Sequence, residues 1–473
     1  MELLNNLVGI TNEFLWSKVL IIMLIVLGIY FTFRTNFVQF RFFGEMFRLL
    51  GDGAKGEKKE GAVSSFQAFC ISTASRVGTG NIAGIAMAVV AGGPGSVFWM
   101  WLIALIGSAS SFVESTLAQI FKIKDGEGFR GGPAYYMEQG LKNRTMGIVF
   151  SILITICFGF IFNAVQSNTI TAAFNNAFGV NRLAIGIILA TLTGIIIFGG
   201  VHRVAKVSEV IVPIFAVLYI LVSLFVVVIN IGEIPGIIKT IFESAFGLRE
   251  MAVGSMSGMI LVGIKRGLFS NEAGMGSAPN AAATADVTHP VKQGLIQTLG
   301  VFTDTIVICS CTAFMILLYS DYATAGLEGI ELTQAALSSQ IGPIGNIFIA
   351  VCILLFAFSS IVGNYYYGES NIGFMSNNKT ILNVFRAMVV GMVLFGSVAK
   401  VQLVWDLADV FMGLMAIINL IAIALLGKYA FVVLKDYTDQ KKAGIKDPVF
   451  IASNIKGLEN VECWQEEKEE KVV

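Results

Sequence analysis

The chain has 473 residues, 55% hydrophobic and only 14% charged, with 50 glycines, 37 phenylalanines and a mean hydropathy of +0.77. Soluble domains carry about 25% charged residues, so this composition excludes that class and points to an all-α integral membrane protein in contact with lipid. The 32 basic and 32 acidic residues cancel, which removes the electrostatic basis for nucleic-acid binding, and two histidines with six dispersed cysteines offer little for catalysis or a metal centre.

Hydropathy predicts eleven spans, near residues 16–33, 62–91, 95–121, 146–174, 183–199, 207–230, 251–285, 291–318, 343–367, 380–398 and 402–426. The first follows Glu2, Asn5, Asn6 and Glu13 and lacks a basic leader and a small-residue cleavage site, so it reads as a retained span and not a signal peptide. Loops after spans one, three and five hold most of the basic residues, among them Arg41, Arg48, Lys58, Lys59, Lys122, Lys124, Arg130, Lys142, Arg203 and Lys206. The opposite loops hold Arg182, Lys239, Arg249 and Lys400. That bias predicts a cell-membrane protein with its N-terminus outside and its C-terminus in the cytoplasm. Residues 427–473, ending in a run of Glu and Lys, read as a solvated tail.

Spans two and seven are long because each contains a polar, glycine-rich run, SRVGTGNIAG (75–84) and GLFSNEAGMGS (267–277). Setting aside residues 1–61 as an extra helix with its linker leaves two sets of five spans, 62–230 and 231–426, each beginning with an interrupted helix. Five is odd, so the sets enter the membrane from opposite sides, as an inverted repeat does. Paired interruptions of this kind mark a solute site at the bilayer midplane, because unwound backbone survives there only where it lines a cavity. The competing reading is close helix packing through small residues.

In the first run, a helix restarting near Thr79, Gly80 and Asn81 presents free N–H groups to a carboxylate. The preceding half-helix ends with free carbonyls at Ala74 and Val77, hard oxygen ligands that suit a small cation such as sodium. In the second run, Phe269, Ser270 and Met275 form the opposite wall, with room for a small side chain. Lys265, Arg266 and Glu272 are costly in a span unless paired, and an ion pair of Glu272 with Arg76 or Arg266 that closes a gate is the favoured reading. Gln166, with Asn163 one turn before it, is a candidate contact to the solute, or an interhelical hydrogen bond. Ser359 and Ser360 interrupt span nine and can complete a cation shell, or bond back to their own helix. Asp304, Asp406, Asp409 and Glu114 are embedded carboxylates that can serve an ion path, a gate or the fold. Trp405 reads as an interface anchor rather than a pocket cap, and the cysteines as packing residues.

The strings GTGNIAGIA, GGPAYYMEQGL, KRGLFSNEAGMGSAP and HPVKQGLIQ closely resemble the alanine or glycine:cation symporters, the sodium:alanine symporter family, from about Phe66 to Leu426. The resemblance implies a leucine-transporter-type fold and sodium-driven uptake of alanine or glycine. It also implies that Asn81 joins the solute carboxylate to one sodium. The carbonyls of Ala74 and Val77, with Ser359 favoured among the span-nine serines, hold another. Arg76 departs from the wider superfamily, where that position is small, and leaves the first of these sodium sites open. A proton-coupled or uncoupled exchanger using Glu272 or Asp304 is the nearest alternative, followed by a membrane sensor. An enzyme is disfavoured, because no nucleophile and base occur at a workable spacing.

Overall fold

The computed structural model describes residues 2–55, 63–198, 201–248, 255–455 and 457–464. Residues 61–62 and 251–254, the basic residues Lys58, Lys59 and Arg249, and the terminal Glu/Lys run lie outside them. Helices dominate, and among the described residues the only paired strands form a hairpin, β1 (Ile123–Asp125) and β2 (Gly128–Arg130), with Lys124 opposite Phe129. Seven described helices are long and apolar enough to cross a membrane, or nine if two bent pairs each count as one span.

Polarity is distributed inside out. Ile187, Ile195, Leu221, Phe225 and Val228 are exposed, whereas Ser167, Asn168, Thr171, Gln293 and Gln297 are buried. Without water in the hydrocarbon, each polar side chain must find a partner within the bundle, which draws these residues inward and leaves aliphatic faces for lipid. Helix starts are set locally. Ser64 and Gln67 form a reciprocal capping box, and Asn143, Asn181, Ser255 and Asn378 each accept from a backbone N–H of the helix they begin.

Several boundaries differ from the hydropathy reading. Apolar helix is continuous over Asn6–Arg34, and its outer part packs on the last helix, where Asn12 Nδ2 donates to the Asp406 carbonyl (3.1 Å) and Trp16 Nε1 to that of Asp409 (3.2 Å). A helix over Ile234–Ala245, bent 102° from Pro213–Ile229, occupies a stretch read as a loop and buries Ile234, Ile241 and Ala245. The final helix runs on to Lys442. The described residues beyond it are not the solvated tail expected. Phe450, Ile455, Val461 and Trp464 are buried against the end of the bundle that carries the basic loops. Four apolar residues dispersed among charges do not move an average hydropathy, yet each removes apolar surface from water.

At that same end, Val63 pairs in parallel with Ala285, and the Asp286 N–H donates to the Val63 carbonyl at 3.1 Å. This bridge ties the chain entering the first interrupted helix to the chain leaving the second.

Candidate functional site

The first interrupted helix begins as Ser65–Arg76 and stops at Val77, whose extended backbone (φ −80°, ψ 99°) turns the chain out of the helix. Helix resumes as a π turn over Gly80–Gly84 and continues as Ile85–Gly92, 49° from the first half. Glycine is required at the bend by close approach. A Cβ on Gly78 would collide with Ser360 Oγ, and one on Gly80 would sit 2.9 Å from the Phe269 ring. The N–H groups released here are taken by amide oxygens: Gly78 donates to Asn81 Oδ1 (2.9 Å) and Thr79 to Gln166 Oε1 (3.0 Å).

Ser360 Oγ lies 2.8 Å from the Ala74 carbonyl, 3.2 Å from that of Val77 and 3.0 Å from that of Phe356. One hydroxyl carries one proton, so at least one of the Ala74 and Val77 carbonyls faces its oxygen without receiving that proton, while the Phe356 carbonyl has a second hydroxyl donor in Ser359. Oxygen dipoles converging in this way form a receptor for a small hard cation. Of the two serines, Ser359 is the one favoured from resemblance, but its hydroxyl turns back to the Phe356 carbonyl of its own helix (2.8 Å). Successive helical residues point about 100° apart, so only one of an adjacent pair can aim at the neighbouring half-helix.

Asn81 is the centre of a second polar group. Its Nδ2, with two protons to give, lies 2.5 Å from Asp304 Oδ1, 2.9 Å from Ser270 Oγ and 3.3 Å from Cys309 Sγ. Ser270 and Thr305 both donate to Asp304 Oδ2 at 2.8 Å. Asp304 and Cys309 lie on a π segment, Phe302–Cys309, and Phe162 ends another, Thr155–Phe162. With Gly80–Gly84, three of the π segments supply side chains to one place, as such distortions do where helices are shaped for function. Asp304 thus sits within the site, and Cys309, read as a packing residue, touches both Asn81 and Ser270. The carboxylate in FTDT was a visible signal for Asp304; nothing in the sequence singles out Cys309.

The second interruption follows Met256–Asn271. Glu272 (φ 56°), Gly274 (φ 86°) and Gly276 (φ 84°) carry the chain through left-handed conformations before Ala278–Ala282 resumes helix. This geometry aims the N–H groups of Gly274 and Gly276 at the Glu114 carboxylate (3.0 and 3.1 Å), which also accepts from Asn419 Nδ2 (2.8 Å). The Glu114 carboxyl is therefore the acceptor seated in a backbone nest, and it braces the unwound turn.

The expected ion pair of Glu272 is not formed. Glu272 accepts from Ser75 Oγ (2.9 Å) and Ser277 Oγ (2.5 Å). Arg76 donates to the Gln297 carbonyl (3.2 Å), while Arg266 pairs with Asp409, which Lys265 also reaches at 3.3 Å. Arg266 precedes Glu272 by six positions, which on a helix puts the two on different faces. Trp405 is buried, correcting its reading as an interface anchor. The Phe269 ring lies between those of Phe162 and Trp405, both with centroids at 4.6 Å, and the Arg266 guanidinium stands 4.7 Å over Trp405. Met275 is buried in the same hydrophobic core as Phe269, and its N–H donates to the Glu272 carbonyl (3.1 Å).

Trp405 also lines a pocket of about 330 Å³ with Thr169, Glu328 and Gln402. A pocket of about 350 Å³ lies at the basic-loop end, lined by Arg130, Tyr366, Glu369 and Ser370. Ser370 lies ten residues beyond Ser360 on the helix Ile344–Met375, about 15 Å at 1.5 Å per residue. The polar cluster thus lies between two vestibules, and an aromatic ladder covers one side of it.

Interrupted helices that place carbonyls and amide groups between two vestibules define a membrane carrier for a small solute. The fold agrees: MhsT, solved in complex with L-phenylalanine, matches with a TM-score of 0.53 at 15% identity, covering 82% of this chain and 99% of that one. A Na+-coupled sialic acid symporter matches with a TM-score of 0.50 at 17% identity, covering 81% and 84%. The chain belongs to the sodium:alanine symporter family, whose model matches residues 1–452, and it is accordingly a transporter. Relatives include the probable sodium/glutamine symporter GlnT of Bacillus subtilis, 60% identical over 98% of this chain and 96% of its own. The amino-acid carrier protein AlsT of the same organism is 58% identical (98% and 99%), and the sodium/alanine symporter AgcS of Methanococcus maripaludis 37% identical (93% and 99%).

Proposed function

We propose that this protein is a sodium-driven importer of a small neutral amino acid, with alanine as its substrate, working by alternating access. The observation that carries the coupling is the convergence of the Ala74, Val77 and Phe356 carbonyls on one hydroxyl, Ser360. A sodium ion held there joins the first half-helix to the helix Ile344–Met375 and orders the turn at Gly78–Thr79. The N–H groups of that turn then receive the substrate carboxylate once Gln166 and Asn81 yield them. Binding coupled in this way is reciprocal, so alanine also tightens sodium.

Asn81, Ser270 and Asp304 are the proposed place for a second cation beside the substrate. Arg76, bonded to Gln297, does not occupy it. The close approach of Phe269 to Gly80, under Trp405, supports a small side chain. A relative named a sodium/glutamine symporter at 60% identity favours glutamine as the second reading. The proposed architecture keeps eleven spans with a five-plus-five inverted repeat, N-terminus outside and C-terminus in the cytoplasm.

Uptake of labelled alanine and of glutamine into proteoliposomes, with and without an imposed sodium gradient, tests both points. Alanine accumulation that ignores the sodium gradient would remove the coupling. Preference for glutamine would replace the substrate and leave the coupling in place. Varying pH at fixed sodium separates the proton-coupled alternative.

A further inference from the structure

We propose that the described residues 446–455 and 457–464 form a latch that holds the cytoplasmic gate shut and must be displaced before substrate leaves into the cytoplasm. This rests on the carrier reading and on the orientation above, which puts the basic-loop end in the cytoplasm.

The segment is fastened at both ends. Near its start, Asp447 pairs with Lys292, Thr288 Oγ1 donates to the Pro448 carbonyl (2.8 Å), and the Phe450 N–H donates to the Thr288 carbonyl (2.8 Å). Near its end, Trp464 Nε1 donates to the Gln119 carbonyl (2.8 Å), the Cys463 thiol lies 3.3 Å from the Lys122 carbonyl, and the Lys124 N–H donates to Glu462 (3.2 Å). Asn460 reaches the Gln139 carbonyl at 3.2 Å. The two ends are joined by the Phe450 and Trp464 rings, 5.4 Å apart, and by the Ala452 N–H donating to the Trp464 carbonyl. Thr288 and Lys292 belong to the proposed second repeat, and Gln119, Lys122 and Gln139 to the first. The strap therefore crosses between the repeats at the end where they must part.

Its attachment points are the parts of the gate itself. Lys122 Nζ stands over both the Phe129 ring (3.8 Å) and the Trp464 ring (4.9 Å) and donates to the Ala285 carbonyl (2.9 Å). Gln119 Nε2 donates to the carbonyls of Ala282 (2.5 Å) and Ala285 (3.0 Å). Ala285 is the residue bridged to Val63, at the entrance to the first interrupted helix. Phe129 and Arg130 lie on the hairpin that walls the inner vestibule. A continuous set of contacts thus runs from Trp464 through Lys122 and Gln119 to the backbone bridge between the two interrupted helices.

The test reads access to the inner vestibule directly. The full chain carrying Ser370→Cys, in inside-out vesicles, is exposed to a membrane-impermeant maleimide, and modification of that peptide is followed by mass spectrometry. Loss of the indole by Trp464→Ala removes a cation–π partner and a hydrogen-bond donor and is expected to speed modification about tenfold. Trp464→Phe, which retains a ring, is expected to fall between. Rates within twofold of the parent for both variants would overturn the latch. A second arm works on protein already folded: Lys122→Cys is oxidised with diamide against native Cys463. Crosslinking is expected to slow both labelling and transport, with reductant reversing it. Failure to crosslink, or crosslinked protein that labels as fast as the same variant before oxidation, would also overturn it. Labelling reports the gate whether or not alanine is carried, so failure of the substrate reading is seen separately, in the uptake arm.

Discussion

Ser360→Ala removes the one hydroxyl that touches the carbonyls of Ala74, Val77 and Phe356 together. In the sodium-bound state it deletes an oxygen facing a charge, a contact worth about 1.5–3 kcal/mol. In the sodium-free state it deletes the only proton that this hydroxyl supplies, about 1 kcal/mol, and leaves the carbonyls facing one another. The difference, about 0.5–2 kcal/mol, corresponds to sodium affinity weakened about 2–30-fold. The assay is the sodium concentration for half-maximal alanine uptake in proteoliposomes at saturating alanine, with Ser359→Ala measured beside it. The Ser359 hydroxyl is bonded within its own helix, so its removal is expected to shift sodium dependence by less than about threefold. Unchanged sodium dependence in Ser360→Ala, or a larger effect from Ser359→Ala, would refute the assignment of the cation to this cluster.

Asp304→Asn, which removes the carboxylate bonded to Asn81 and Ser270, is expected to lower the number of sodium ions carried per substrate, read as the slope of reversal potential against the sodium gradient. Glu114→Ala leaves the N–H groups of Gly274 and Gly276 without their acceptor and Asn419 Nδ2 with only the Gly274 carbonyl, a loss of about 3–5 kcal/mol that should lower the melting temperature in detergent well beyond the effect of Glu114→Gln. At the surface helix Phe43–Lys55, burial raises the Glu45 carboxyl, but hydrogen bonds from Arg48, Tyr437 and Lys441 outweigh it and bring the pKa down from 4.5 to about 2. A lowered carboxylate pKa stabilises above the unfolded value, so this contribution should be lost as pH falls from about 4.5 to about 2, and a melting profile over that window should flatten in Glu45→Gln. Gly80→Ala, placing a methyl 2.9 Å from the Phe269 ring, should displace the aromatic ladder and abolish saturable alanine binding in an equilibrium assay while detergent-solubilised protein remains monodisperse.

Much of the site was visible in the chain because its signals are local. A glycine beside Ser, Thr or Asn in an apolar run marks unwound backbone wherever the rest of the bundle lies, and Ala74, Val77, Thr79, Asn81 and Ser270 follow from such runs, while the pair Ser359 and Ser360 stands out as the polar break in an apolar helix. Pairings were less legible. Glu272, Arg76 and Arg266 are close in charge logic, but the helical turn between positions sends Arg266 to Asp409 and leaves Glu272 with Ser75 and Ser277. The tail was misread because its composition is polar on average, while Trp464 and Phe450 act singly by docking on surfaces that only the fold creates.

By itself, then, the sequence determined the membrane class, the two interruptions, the polar groups near them and, through its signature strings, the family. Tertiary structure alone decided which partner each of those groups meets: Ser360 rather than Ser359 on the first-break carbonyls, Asp304 and Cys309 beside Asn81, Glu114 in the nest of the second turn, and Trp405 over Phe269. The reason is physical. Where backbone unwinds depends on residues within a few positions of each other, whereas what a buried oxygen faces depends on the rotation and depth of neighbouring helices, and these are set by the packing of the whole bundle.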